Sequence, residues 1–150
     1  MAKIELAICK DVKLIQYINK ISLPISYSIR DYIEFIISHG SNVFKALHNN
    51  SIVGYVLIKK YSNNRMHIMS FAVHPDYRRL TIGSSLMKKA HDFSIDNNFS
   101  YLTLYVQCTN TKAIAFYLAF GFIIKKTLKN YYKFNDHAYI MEYSLKKINL

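Results

Sequence analysis

The chain has 150 residues, 51% of them hydrophobic and 15% aromatic, with 4 Gly and 2 Pro; this excludes a disordered or collagen-like polypeptide and suits one packed α+β domain over residues 1–150. Lys and Arg number 20 against 9 Asp and Glu, a net charge of +11, which attracts polyanions without choosing among a phosphorylated cofactor, nearby RNA or mere solubility. No apolar run is long enough to span a bilayer and the N-terminus carries no targeting segment, so a soluble, cytoplasmic protein that binds neither membrane nor specific nucleic acid is expected.

Taken in chain order, residues 4–9 alternate weakly and read as a strand, and Asp11 stands where an N-cap belongs before Leu14, Ile15, Ile18 and Ile21 at helical spacing. Pro24 stops that helix and leaves an apolar loop with a tyrosine, Leu23-Pro24-Ile25-Ser26-Tyr27. Residues 31–37 form a second helix with Tyr32, Phe35 and Ile36 on one side, ended by His39-Gly40-Ser41-Asn42. Strands at 43–48 and 52–61, joined by Asn49-Asn50-Ser51, lead through Ser62-Asn63-Asn64 into a third at 66–73, an antiparallel meander.

Pro75 ends the third strand and a basic turn, Arg78-Arg79, opens a helix with Ile82, Leu86, Ala90 and Phe93 inward and Lys88, Lys89 and Asp92 outward. A strand, a basic turn and a helix N-terminus put backbone N–H groups and a dipole beside fixed positive charge, an arrangement suited to a pyrophosphate. Asn97-Asn98 closes the helix, 101–106 is a strand, and Asn110 caps a short helix through Phe120 that Gly121 terminates. Strands 122–128 and 138–145 complete the chain as a hairpin, with residues 130–136 as its aromatic, basic connection. One strand-helix-strand crossover in an otherwise antiparallel order gives a mixed α+β sheet with about four helices. The two cysteines, Cys9 and Cys108, fit no metal or disulfide spacing and read as buried thiols in a reducing compartment. His74, His91 and His137 show no ligand spacing, so no metal is expected.

With these elements placed, the chain resembles the GCN5-related N-acetyltransferase (GNAT) superfamily over nearly its whole length. The superfamily's acyl-CoA signature, a Gln or Arg, two residues, Gly, one residue, then Gly or Ala, reads here Arg78-Arg79-Leu80-Thr81-Ile82-Gly83, with Thr81 in place of a glycine and expected to be tolerated there at a non-positive φ. The later run from Asn110 through Tyr117 to Gly121 resembles the second cofactor motif. Within the superfamily the chain is most similar to the family of San-type catalytic subunits of N-terminal acetyltransferase E. Leu23 to Tyr27, Arg65 to Ser70, Tyr77 to Leu80, Val106-Gln107, Phe116-Tyr117, Phe120-Gly121-Phe122 and Lys129 to Lys133 carry that likeness, in that order.

The resemblance implies the GNAT fold with splayed central strands, and direct transfer of acetyl from acetyl-CoA to the α-amine of protein N-termini, with Met-initiated chains preferred. It implies nascent or finished N-termini as partners, along with an auxiliary N-acetyltransferase subunit and the ribosome. Cofactor contacts fall on Phe71, Ala72, Val73, Arg78, Arg79, Leu80, Thr81, Ile82, Gly83, Ser84, Asn110 and Tyr117; the backbone amide that polarises the thioester lies near residues 71–73. The first substrate residue meets Leu23, Pro24, Ile25, Tyr27, Met69 and Tyr132. The family's reactive pair is a Tyr on the central strand and a His on the next; here the types are exchanged, as His67 and Tyr105, with His67 as a base acting through water, Tyr105 ordering that water and Tyr117 near the sulfur. The plainer readings make His67 an ordinary strand histidine, Tyr117 a core aromatic and the proline loop mere packing. Two rival functions stay open: a lysine or small-amine acetyltransferase of the same fold, and a catalytically weak CoA-binding docking subunit.

Overall fold

The computed structural model describes residues 2–78 and 81–145. Seven strands form one mixed sheet: β1 (Lys3–Leu6), β2 (Ser41–His48), β3 (Ser51–Lys60), β4 (Arg65–Val73), β5 (Tyr101–Gln107), β6 (Ile123–Lys133) and β7 (Asp136–Ser144), in spatial order β1-β2-β3-β4-β5-β7-β6. Every neighbouring pair is antiparallel except β4 and β5, which run parallel because the helix between them carries the chain back across the sheet. Four helices cover it: α1 (Val12–Ser22), α2 (Ile29–Ile37), α3 (Ile82–Asp96) and α4 (Thr111–Phe120). Among the described residues no helix is long and apolar enough to cross a membrane.

Each face of the sheet has its own core. Ile82, Leu86 and Ala90 of α3 pack with Val56, Ile68, Leu102 and Leu104 on one side, while Val12, Ile15 and Ile18 of α1 and Tyr32 of α2 pack with Tyr55, Leu57 and Ala72 on the other. The apolar spacings of the helices, three and four residues apart, are what point these stripes inward.

Several element boundaries differ from the sequence expectation. Cys9 leaves the first strand for a short 3-10 turn, Cys9–Asp11, and neither cysteine is buried: Cys9 is exposed and Cys108 half-buried. Asp11 does occupy the N-cap of α1, yet its carboxylate makes no cap bond there. It accepts instead from the Ile8 N–H at 2.9 Å and pairs with buried Lys45 at 2.7 Å, since a buried ammonium needs a counter-charge more than a helix end needs a cap. Helix α2 begins at Ile29 rather than at residue 31, because Ser28 and Asp31 form a reciprocal capping box and Asp31 is its third residue. Residues 130–133, expected as connection, belong to β6; the pairing slips between Leu128 and Lys133, and the turn shrinks to residues 134–135. Asn130 takes φ 55° there and bonds across to His137 and Asn135, an irregularity that swings Tyr131 and Tyr132 off the ladder. Gly121 ends α4 as expected, at φ 123°, where an added Cβ would sit 2.7 Å from the Tyr143 ring.

Candidate active site

The site begins where the parallel ladder stops. β4 and β5 pair only from Arg65 with Tyr101 to Ile68 with Leu104, although both strands run on, to Val73 and to Gln107. Beyond that point they splay. The backbone that faces the gap follows from alternation along each strand. His74 donates its N–H to Val53 of β3, so Ala72 also turns to β3, and Phe71 and Val73 turn their peptide groups to the gap. Likewise Cys108 donates to His137, so Val106 faces β7 while Tyr105 and Gln107 face the gap. Arg78 fits this parity, its Nε donating to the Val73 carbonyl at 2.9 Å.

Two hollows meet there. A groove of about 790 Å³ is lined by Phe71, Ala72, Val73, Arg78, Thr81, Gly83, Ser84, Asn110, Lys112 and Tyr117, among others, with no carboxylate among its described lining. A smaller cavity of about 140 Å³ lies beside it. Leu23, Pro24, Phe71, Tyr105, Tyr117 and Tyr132 line both.

Of the first turn of α3, Gly83 and Ser84 line the groove; the N-cap Thr81 makes no side-chain cap bond there, and the first intrahelical bond runs from Ser85 N–H to the Thr81 carbonyl at 3.0 Å. Amides in an open helix start, with Arg78 and Lys112 close by, fit a pyrophosphate. Gly83 sits beside the Phe71 ring, where an added Cβ would come to 3.4 Å, an ordinary contact distance. Ile82, expected among the cofactor contacts, turns its side chain into the core and does not line the groove. Thr81 holds φ 64°, in the left-handed region. This corrects the expectation of a non-positive φ: the chain must turn sharply from the strand end into α3, and the backbone takes the conformation a glycine would take even though the side chain is β-branched. Arg79 and Leu80, expected among the cofactor contacts, lie outside the described residues. Asn110 lines the groove while its Oδ1 accepts from the Ala113 N–H, capping α4.

The smaller cavity gathers every expected substrate residue, Leu23, Pro24, Ile25, Tyr27, Met69 and Tyr132, with His67, Tyr105 and Tyr117. Its described lining carries no Lys, Arg, Asp or Glu. The proline loop is pinned by buried Asn19, whose amide donates to the Ile25 carbonyl and accepts from the Tyr27 N–H, at 3.0 and 3.1 Å. Beneath it a buried hydroxyl chain runs from Tyr32 to Tyr55 and on to Ser70. His67 is 4% exposed, with Nδ1 2.7 Å from the Thr103 hydroxyl. Its ring lies against Tyr61, stacked at 4.9 Å, and the edge of Tyr105 at 4.6 Å. Burial first, then the Arg65 charge, pull the imidazole down to about 4, so it is neutral at pH 7. Burial, then the hydroxyl and charge of Tyr61, push the Tyr105 phenol up to about 12. Burial, then Tyr132, hold the Tyr117 phenol well above its ordinary value. Among the described residues no cluster of His, Cys, Asp or Glu could hold a metal.

Sequence reading missed Tyr61, Ser70 and Tyr131, which also line the cavity. The sequence pattern puts Tyr61 at the end of a strand and Tyr131 in a loop; the signals for them are an aromatic placed directly before the turn 62–64 and the doublet Tyr131-Tyr132.

Comparison with known proteins agrees with this geometry. Residues 13–122 match the model of the acetyltransferase (GNAT) family. The chain is 33% identical over 144 residues to the N-alpha-acetyltransferase 50 of Danio rerio, covering 91% of this chain and 84% of that one. It is 32% identical over 127 residues to the probable N-acetyltransferase san of Drosophila melanogaster, covering 82% and 68%. Among solved structures it is similar to Arabidopsis thaliana Naa50 in complex with the bisubstrate analogue CoA-Ac-MVNAL, with a TM-score of 0.82 and 28% identity over 95% of this chain and 98% of that one.

Proposed function

Because this chain belongs to the acetyltransferase (GNAT) family, whose acyl donor is acetyl-CoA, we propose that it transfers the acetyl group to the N-terminal α-amine of proteins, preferring chains that begin with methionine. The observation that carries this reading is the pair of hollows joined at the strand splay: a basic groove opens into a cavity whose described lining combines aliphatic side chains with tyrosines and carries no Lys, Arg, Asp or Glu. Such a cavity accepts an uncharged amine and an apolar first side chain, and Leu23, Pro24, Ile25 and Met69 supply its greasy wall. The Met-initiated peptide of the CoA-Ac-MVNAL conjugate in the plant structure fits the same preference. Nascent chains, with an auxiliary subunit and the ribosome, are the partners this reading carries, a setting that a charge of +11 suits.

When bound, acetyl-CoA supplies an activated acyl thioester. Arg78, Lys112 and the amides of Gly83 and Ser84 would hold its pyrophosphate, and the gap-facing peptide groups of Phe71 and Tyr105, with the N–H groups of Val73 and Gln107, whose carbonyls already accept from Arg78 and Asn110, would take its amide-bearing arm in strand-like fashion. The N–H of Phe71 or Val73 would be the donor that polarises the thioester carbonyl, a dipole held where negative charge develops. Neutral His67, with Nδ1 on Thr103, keeps Nε2 for the water that takes the amine proton, and Tyr105 orders that water through its hydroxyl. An imidazole pulled to about 4 is a weak base, so its share is to accept a hydrogen bond and align the water; an α-amine of pKa about 7.7 to 8.0 gives up its proton readily to solvent. Tyr117, kept protonated, holds a proton for the sulfur.

Steady-state kinetics with acetyl-CoA test this reading. A Met-initiated peptide is expected to turn over, and one with a blocked N-terminus and an internal lysine is not. His67→Ala and Tyr105→Phe should each lower kcat by about 10²- to 10⁴-fold with acetyl-CoA affinity unchanged, and the double variant should lose far less than the product of the two. Turnover of the blocked lysine peptide would make this a side-chain acetyltransferase, and tight cofactor binding with no turnover of either peptide would make it a docking subunit.

A further inference from the structure

We propose that Tyr61 is a positioning residue of the active site, holding the ring of His67 in the plane from which it meets the substrate's water. This rests on the catalytic reading of His67 given above. The imidazole has one hydrogen bond, between Nδ1 and the Thr103 hydroxyl, and a single bond leaves a ring free to swing about it. Ring contacts on two sides remove that freedom: the Tyr105 edge meets it at 4.6 Å and 63°, and the Tyr61 face lies nearly parallel at 4.9 Å and 19°.

Tyr61 is not placed there by the core. It follows β3, is 57% exposed, and among the described residues its one ring contact is His67. Its backbone is tied down, since its N–H donates to the Arg65 carbonyl at 2.9 Å and the Ser62 N–H reaches the same oxygen. The side chain lines the cavity with His67 and Tyr105, so a third wall, from the β3–β4 turn, joins the proline loop and the β6–β7 hairpin. Its hydroxyl also bears on Tyr105, one of the causes that push that phenol up. An exposed tyrosine held face-on to a buried imidazole has ordered a large side chain with little core burial in return, which makes sense where the ring it orders is the one that must be aimed.

The test is a set of variants, Tyr61→Leu and Tyr61→Phe, each made in the parent and in the His67→Ala background and assayed on a Met-initiated peptide. Tyr61→Leu should lower kcat about 10- to 100-fold in the parent, leave the KM for acetyl-CoA unchanged, and cost nothing further once His67 is alanine. Tyr61→Phe, which keeps the ring face, should restore most of the loss. Circular dichroism should show both variants folded, because the side chain is largely exposed. Parental kcat for Tyr61→Leu, an equal loss in both backgrounds, or no rescue by phenylalanine would each overturn the proposal while leaving the His67 reading intact. Parental kcat for His67→Ala alone would overturn both, and so separates the two failures.

Discussion

At the scale of single residues, Thr81 is the position where local preference and observed backbone disagree most. A β-branched residue at φ 64° carries a cost of about 1 to 2 kcal/mol that a glycine there does not. Thr81→Gly is therefore expected to raise Tm by about 2 to 8 °C, with acetyl-CoA affinity changed by less than about tenfold, because the helix-start residues that line the groove beyond it are Gly83 and Ser84; differential scanning fluorimetry and calorimetric titration measure the two. A fall in Tm would mean that the contacts of the threonine outweigh the strain. The sequence could name Thr81 as the odd member of its motif but not its dihedral, which is set by the junction of strand and helix. The same limit applies to His67. The family resemblance named it as a site residue, but its Thr103 bond and its seat against Tyr61 depend on strand register and ring packing, which one-dimensional patterns do not carry.

Among the elements, those with strong periodicity were the most legible. The stripe of α3, the meander β2-β3-β4 and the Asn110 cap of α4 stand as the pattern implies, whereas of the stripe expected on α1 Ile15 and Ile18 are buried and Leu14 and Ile21 are exposed, the inward face being completed by Val12 and Asn19. The start of α2 was misplaced because Asp31 was read without its partner Ser28, and the two act reciprocally. The hairpin of β6 and β7 was misread for a different reason. Lys129, Asn130, Tyr131 and Tyr132 have the polarity of a loop, yet they lie on an edge strand whose pattern is almost wholly exposed, and lysines on an edge strand guard against pairing with another chain. Its pairing slip is what brings Tyr131 and Tyr132 to the cavity, so the error in the element and the omission from the site share one cause.

For the whole molecule, the buried imidazole ties stability to pH. His67 is drawn from an ordinary value near 6.5 to about 4 on folding, so above pH 6.5 it is neutral in both states and contributes no slope. Between about 6.5 and 4 the unfolded chain takes up a proton that the folded one refuses, and stability falls as the pH falls. Crossing the full window would remove about 3 kcal/mol at about 1.4 kcal/mol per unit. Urea unfolding of the parent and of His67→Gln between pH 4 and 7 checks this: the variant should lose less stability on acidification, and parallel curves would place the sensitivity elsewhere.

The splay has a consequence for how the protein exchanges its amide hydrogens with water. Along β4 the N–H groups of Ala72 and His74 are locked to β3, while those of Phe71 and Val73 look into the gap, so deuterium uptake should alternate residue by residue within one continuous strand, slow then fast. Addition of acetyl-CoA should slow the fast pair and leave the slow pair unchanged, because a strand-like ligand would complete the ladder that β5 abandons at Leu104. A uniform slowing of all four, read by amide-resolved NMR, would mean that the cofactor tightens the strand as a whole and does not take the place of a missing neighbour. On this view the sheet of the resting protein is a secondary structure left unfinished at its centre, and its substrate is the piece that finishes it.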